Sequence, residues 1–258
     1  MLNDWLKHSE RSPNPLNFRV IDINEKDDRD LEKVNKIFKK IFVDNTLSYE
    51  SFKKISAKIG WDETFAKFIS PKLTKTKDMK KGKFGEMLEG EILENFFDFV
   101  IPIKKWRYAI TSDQSLPSID IVAIKNDDSE ITEMSLVECK VTGGNDKRLV
   151  SKAYTQLMDD LDIEFPPMLP FIINRLIETS HPLTEMFMDY CLKKNRINDS
   201  YRISTVFDKQ KWDEKSLENL NELIHQSTSN LTIDVITIES LENVITEIYK
   251  NNGWSVIE

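Results

Sequence analysis

The chain has 258 residues, a formal net charge of −8 and 31% charged residues, enough to bury a sizeable core as one domain, or as one domain with an added lobe. Its apolar runs are far too short to span a bilayer, and Met1-Leu2-Asn3-Asp4-Trp5 is no signal peptide, so a soluble, cytoplasmic protein is expected. The acidic balance disfavours a free-standing DNA binder, because phosphate contacts need concentrated positive charge, and any DNA contact must then come from local patches or from a partner.

In chain order, residues 1–16, with Pro13 and Pro15, read as an irregular arm on which Trp5 and Leu6 are free to dock. Asn17 to Asn24 reads as a short strand. Leu31, Val34, Ile37, Phe38, Ile41 and Phe42 then recur at helical spacing. Two further helices are expected, from Ser48 to Ile59, ended by Gly60, and from Asp62 to Ile69, before Pro71. From Lys72 to Lys83 there are six lysines and one acid, the sharpest composition shift in the chain. This segment is either a solvated linker or a flexible phosphate-contacting stretch in which Lys80, Lys81 and Lys83 face nucleic acid. The division expected is an α-rich lobe with its Lys-rich linker over residues 1–80 and a second unit over residues 81–258.

Residues 84–99 read as a helix with Phe84, Leu88, Ile92, Phe96 and Phe99 on its apolar arc. Glu89 falls inside the edge of that arc, and Gly85, one turn earlier on the same side, allows close backbone approach. Phe97 to Ile110 reads as a strand and Thr111 to Ser115 as a polar turn. Ile119 to Val141 reads as a β-hairpin whose turn lies near Asp128 or Ser129. Antiparallel pairing then puts Asp120 opposite residues 136–138, and strand alternation puts Leu136, Glu138 and Lys140 on one face. Two buried carboxylates repel each other, and a divalent cation with oxygen ligands is the economical way to hold Asp120 and Glu138 together. The bland alternative is a surface hairpin with an ordinary Glu138–Lys140 ion pair.

Gly143-Gly144-Asn145 ends the strand, and Asp146 is placed to cap a helix running to about Asp162. Lys147, Arg148 and Lys152 near its start suit phosphate binding through charge and helix dipole. After Pro166-Pro167, Leu169 to Leu176 reads as a further strand. Beyond it come a helix over Thr184 to Lys194, an extended run over Tyr201 to Phe207, a helix over Trp212 to Ile224, a strand over Leu231 to Ile238 and a helix over Leu241 to Tyr249. Cys139 and Cys191 have neither CxxC spacing nor partner histidines, which fits unreactive thiols in a reducing compartment. His8, His181 and His225 are scattered, so a histidine mechanism has no support.

Asp120, followed after seventeen residues by Glu138-Cys139-Lys140, resembles the PD-(D/E)xK nuclease superfamily. Pro117 stands three residues before Asp120 and not immediately before it, a departure at the loosest part of the pattern. The resemblance implies an α/β fold with a restriction-endonuclease-like αβββαβ core. It implies Mg²⁺ (or Mn²⁺) held by Asp120, Glu138, the Cys139 carbonyl and a helix glutamate, Glu89 first and Glu86 second. Lys140 would act on the nucleophile or on the transition state, and Gln156 would be the helix glutamine that some members place near the active site. The layout as a whole resembles HamA, the nuclease subunit of Hachiman antiphage systems, which implies DNA as substrate and a HamB-like helicase partner. A free-standing restriction endonuclease and a catalytically silent scaffold subunit are the competing expectations.

Overall fold

The computed structural model describes residues 2–27, 30–43, 58, 76–105, 119–163, 165–192, 199–226 and 228–250. The helices expected between Ser48 and Ile69, Lys72 and Lys75, and the turn at Thr111 to Ser115 lie outside the described residues, Lys58 apart, as does Pro117.

Among the described residues, six strands form one mixed sheet. They are β1 (Leu6–Glu10), β2 (Arg19–Glu25), β3 (Ile121–Asn126), β4 (Ile131–Thr142), β5 (Asp199–Asp208) and β6 (Leu231–Ile238), in the order β1-β2-β6-β5-β4-β3. The four central strands β2, β6, β5 and β4 are parallel, and each edge strand pairs antiparallel with its neighbour. Parallel strands buried on both faces read as near-continuous apolar runs, and every residue of β6 is buried.

Helices cover both faces. On one side lie α1 (Leu2–Trp5), α2 (Leu31–Val43), α3 (Lys77–Phe96) and α8 (Leu241–Ile248), where Phe38, Phe84, Leu88 and Val244 pack with Ile23, Val206 and Ile236 of the sheet. On the other side lie α4 (Leu149–Ile163), α5 (Phe165–Glu178), α6 (Thr184–Leu192) and α7 (Lys215–Leu223), where Val150, Leu157, Ile172 and Leu220 pack with Val122, Leu136 and Ile233. No described helix is long and apolar enough to cross a membrane.

Several elements differ from the sequence reading. The first residues are ordered, with α1 and β1 in place of an irregular arm, because Trp5 and Leu6 are buried and Trp5 Nε1 donates to Glu25 Oε1 at 2.6 Å. The stretch Leu169 to Leu176 is helical within α5. Its buried residues Met168, Ile172 and Leu176 recur every four positions, and Pro166 and Pro167 sit in the first turn, where a missing N–H costs nothing. Residues 97–105 contain no continuous strand, and Val100 makes an isolated antiparallel bridge to Ile124. The strand parallel to β4 is therefore β5, reached through three helices.

The Lys-rich stretch is also corrected over its described part. Thr76 caps α3 by accepting from Met79 N at 3.3 Å, and the helix runs unbroken from Lys77. Lysine is a good helix former, and Lys77 and Lys81 are held by Glu242 of α8 at 3.0 and 2.5 Å.

Candidate functional site: a carboxylate pair on the hairpin

Asp127 organises the hairpin tip by accepting from Ser129 N and Glu130 N, both at 2.8 Å. The register that follows pairs Ile121 with Val137 and Val122 with Leu136. Continued by one residue, it sets Asp120 opposite Glu138, as the spacing predicts. Asp120 Oδ2 accepts from Cys139 N at 2.8 Å, tying the start of β3 to β4. The pair lies near the carboxyl end of β4, the end at which open α/β sheets place their ligands.

Glu138 is 1% exposed, and its Oε1 accepts from Lys140 Nζ at 2.6 Å. Its Oε2 is buried and receives no hydrogen bond from the described residues. Burial first, and then the charge of Asp120, pushes the Glu138 carboxyl up to about 8. Burial also raises Asp120, against the pull of Lys105, the Cys139 N–H and Lys140. Lys140 loses by burial but gains more from Glu138, so its ammonium is held more firmly than usual. Lys140 Nζ also donates to Gln156 Oε1 at 2.7 Å, so the α4 glutamine reaches the site.

On the other face, α3 runs close against β4 at Gly85, where an added Cβ would stand 2.5 Å from Val141 Cγ2. This close approach sorts the two helix glutamates. Glu86 lies within the field of Asp120 and Glu138, and burial followed by Asp120 pushes it up to about 8, with Lys105 and Lys83 opposing. Glu89, the glutamate ranked first from the sequence, is instead fully buried over the sheet. There Ser204 Oγ donates to its Oε2 at 2.8 Å and Arg202 Nε lies 3.5 Å from its Oε1. Arg202 also grips Asp234. Burial, then Asp234, raises Glu89 well above the ordinary carboxylate range. Arg202 and Asp234, isolated charges in apolar runs, were the signal for this second cluster.

Lys105 was not singled out from sequence. It is buried, donates to Ile119 O at 2.6 Å, and is the largest electrostatic support of Asp120. Nothing in a lysine next to Trp106 marks it.

The cationic residues expected on nucleic acid are dispersed. Lys147 pairs with Asp213 at 3.0 Å and Lys152 with Asp146 at 2.8 Å, both partly exposed pairs of the kind that contributes about 0 to 1 kcal/mol. Arg148 and Lys152 line a groove of about 710 Å³ between α4 and α7 together with Gln156 and the acids Asp159, Asp160 and Glu222. Lys80 lies over the Tyr249 ring at 5.6 Å, Lys81 is held by Glu242, and Lys83 is buried near Glu86. Cys139 faces Gly85, and its thiol is pushed well up by burial, so it is inert.

The oxygen donors could hold a hard divalent cation: the buried Glu138 beside the half-buried Asp120, an oxygen on Glu138 without a donor among the described residues, and a strand carbonyl at Cys139. Among the described residues no three His, Cys, Asp or Glu side chains already close into a metal cage.

The HamA family model matches residues 1–251. A comparison with curated proteins gives no match.

Proposed function

We propose, from the premise that this chain belongs to the HamA family, that it is the metal-dependent nuclease of a Hachiman antiphage complex. The membership itself points to a Hachiman defence component. The nuclease assignment rests on the buried Glu138 facing Asp120 with Lys140 beside it, and the core that carries it is read as restriction-endonuclease-like.

In this reading Asp120, Glu138, the Cys139 carbonyl and Glu86 would hold Mg²⁺ or Mn²⁺. Bound there, the ion supplies Lewis acidity to the scissile phosphodiester and to the attacking water. Lys140 orients that water or donates to the phosphate oxygen that gains charge in the transition state. Gln156 holds the Lys140 ammonium in place, and Lys105 supports the Asp120 carboxylate from behind. Water is the nucleophile, one P–O bond forms as another breaks, and no protein atom bonds to phosphorus. Arg148 and Lys152, which line the same groove as Gln156, offer cations for the DNA backbone. Two cations in a partly acidic groove, among the described residues, fit a subunit that relies on a HamB-like helicase for its grip on DNA.

Cleavage of supercoiled and linear DNA with Mg²⁺ or Mn²⁺, with and without an ATP-driven helicase partner, tests the reading. Cutting that disappears in Glu138→Ala/Lys140→Ala supports it, and cutting only with the partner supports the complex as well. A folded wild-type chain that binds no Mn²⁺ and cuts under no condition would sink it in favour of a scaffold role.

A further inference from the structure

A second pocket, of about 400 Å³, lies on the α3 side of the sheet, where β4, β5 and β6 begin. The carboxylate pair lies toward the other end of β4. α3 stops at Phe96, and among the described residues no helix covers this part of the sheet. The floor is polar: Ser135, Ser200 and Thr232 stand where the same strands later present Val137, Val206 and Ile236 to the core.

Three cations surround that floor. Arg19 and Arg202 both pair in register with Thr232, one from each side, so the two guanidinium groups flank it on one face. Arg202 is 7% exposed and sits 4.1 Å from the Phe97 ring centroid. Its Nε and Nη2 donate to Asp234, and Nη1 makes no hydrogen bond to the described residues. Arg19 binds Glu10 through Nε and Nη2. Lys125 Nζ lies 4.6 Å from the Phe99 ring centroid and 3.5 Å from Glu133 Oε2. The two lining acids are engaged, Glu133 by Ser200 Oγ and Asp199 by Tyr190 Oη.

Guanidinium groups with donors to spare bind phosphate, hydroxyl groups suit a sugar, and aromatic faces stack bases. The volume falls within the roughly 300 to 1,000 Å³ of small-molecule sites. We propose that this pocket binds a nucleoside phosphate, either as a free nucleotide or as the phosphorylated end of a single strand. The phosphate lies between Arg19, Arg202 and Lys125, and the base extends toward Phe97, a half-buried aromatic of the lining. The site is separate from the carboxylate pair and does not depend on the nuclease reading.

The test is calorimetric titration of the full chain, without divalent metal, by AMP, by dAMP, by a short 5′-phosphorylated single strand and by inorganic phosphate. Saturable binding of a nucleotide or of the strand is expected, weakened at least about tenfold in Arg19→Ala/Lys125→Ala and unchanged in Glu138→Ala. Arg19 is 53% and Lys125 40% exposed, and circular dichroism checks the fold of the double variant. Binding of AMP or dAMP identifies a free nucleotide, and binding of the strand alone identifies a strand end. The proposal is overturned by no saturable binding at millimolar concentrations, by binding that the double variant leaves unchanged, by loss in Glu138→Ala, or by phosphate binding as tightly as the nucleotides.

Discussion

The ammonium of Lys140 stands 2.6 Å from Glu138 Oε1, yet the two side chains meet solvent very differently, Lys140 at 30% exposure and Glu138 at 1%. The acid is a buried anchor and the base its accessible end. An ordinary surface pair would expose both. Replacing Lys140 with Ala should therefore lower metal-dependent cleavage about 10²- to 10⁴-fold while Mn²⁺ still binds. Single-turnover cleavage and Mn²⁺ paramagnetic resonance measure the two effects separately, and undiminished cleavage would remove Lys140 from the mechanism.

The two glutamates of α3 should separate by phenotype. Glu86→Gln is expected to weaken Mn²⁺ binding and cleavage at least about tenfold with little loss of fold. Glu89→Gln should leave metal affinity nearly unchanged, because its carboxyl is engaged by Ser204 and Arg202. The reverse pattern in the same two assays would return Glu89 to the metal site.

Removing Arg202 leaves two buried carboxyl groups, Glu89 and Asp234, without their shared cation. Breaking a buried ionic cluster from one side costs about 3 to 5 kcal/mol. Arg202→Met should lower the urea midpoint accordingly. A change under about 1 kcal/mol would mean that the cluster is not integral to the fold.

The raised carboxyls give the metal-free protein a definite pH response. Burial, then the charge of Asp120, pushes Glu86 and Glu138 each up to about 8 in the folded chain, against an ordinary value of 4.5. Their contribution to stability is therefore full below the ordinary value and is lost as pH rises toward 8. Glu86→Gln, which does not ionise, should lose less stability than the parent across that window. Urea midpoints at about pH 5 and about pH 8 check this, and parallel pH profiles for the two proteins would contradict it. Mg²⁺ added at the upper pH should raise the parent's midpoint more than the variant's.

At position 85 a methyl group would meet Val141 Cγ2 at 2.5 Å. Gly85→Ala should cost about 1 to 3 kcal/mol by overpacking, and Val141→Ala in the same chain should recover most of it. Thermal melts of the four proteins form the double-mutant cycle. An additive result would show that α3 shifts to make room.

Much of the candidate site was legible because strand arithmetic is strict. Alternation put Glu138 and Lys140 together, and the turn near Ser129 put Asp120 opposite Glu138, a register in which Ile121 indeed meets Val137. Capping chemistry placed Asp146 ahead of α4, where its Oδ1 accepts from Arg148 N at 3.0 Å. The choice between Glu86 and Glu89 was not legible, because three residues on a helix turn by nearly a full circle. Which of the two meets the hairpin depends on how α3 crosses the sheet. The misread run at Leu169 to Leu176 failed for a related reason, since a short apolar run does not distinguish a buried strand from a helix. Tertiary cations such as Lys105 leave no local pattern at all.

The tip of the β3–β4 hairpin is exposed and polar, the kind of place where a chain ordinarily accepts an extra residue. Here a gain or loss of a single codon between Asn126 and Ile131, if the strands slipped to absorb it, would set Asp120 opposite residue 137 or 139, whose side chains belong to the other face of the sheet. Frame-preserving changes at a distant loop would thus disassemble the acidic pair without touching either acid, and the length of that loop is as much a determinant of the site as the identity of its residues.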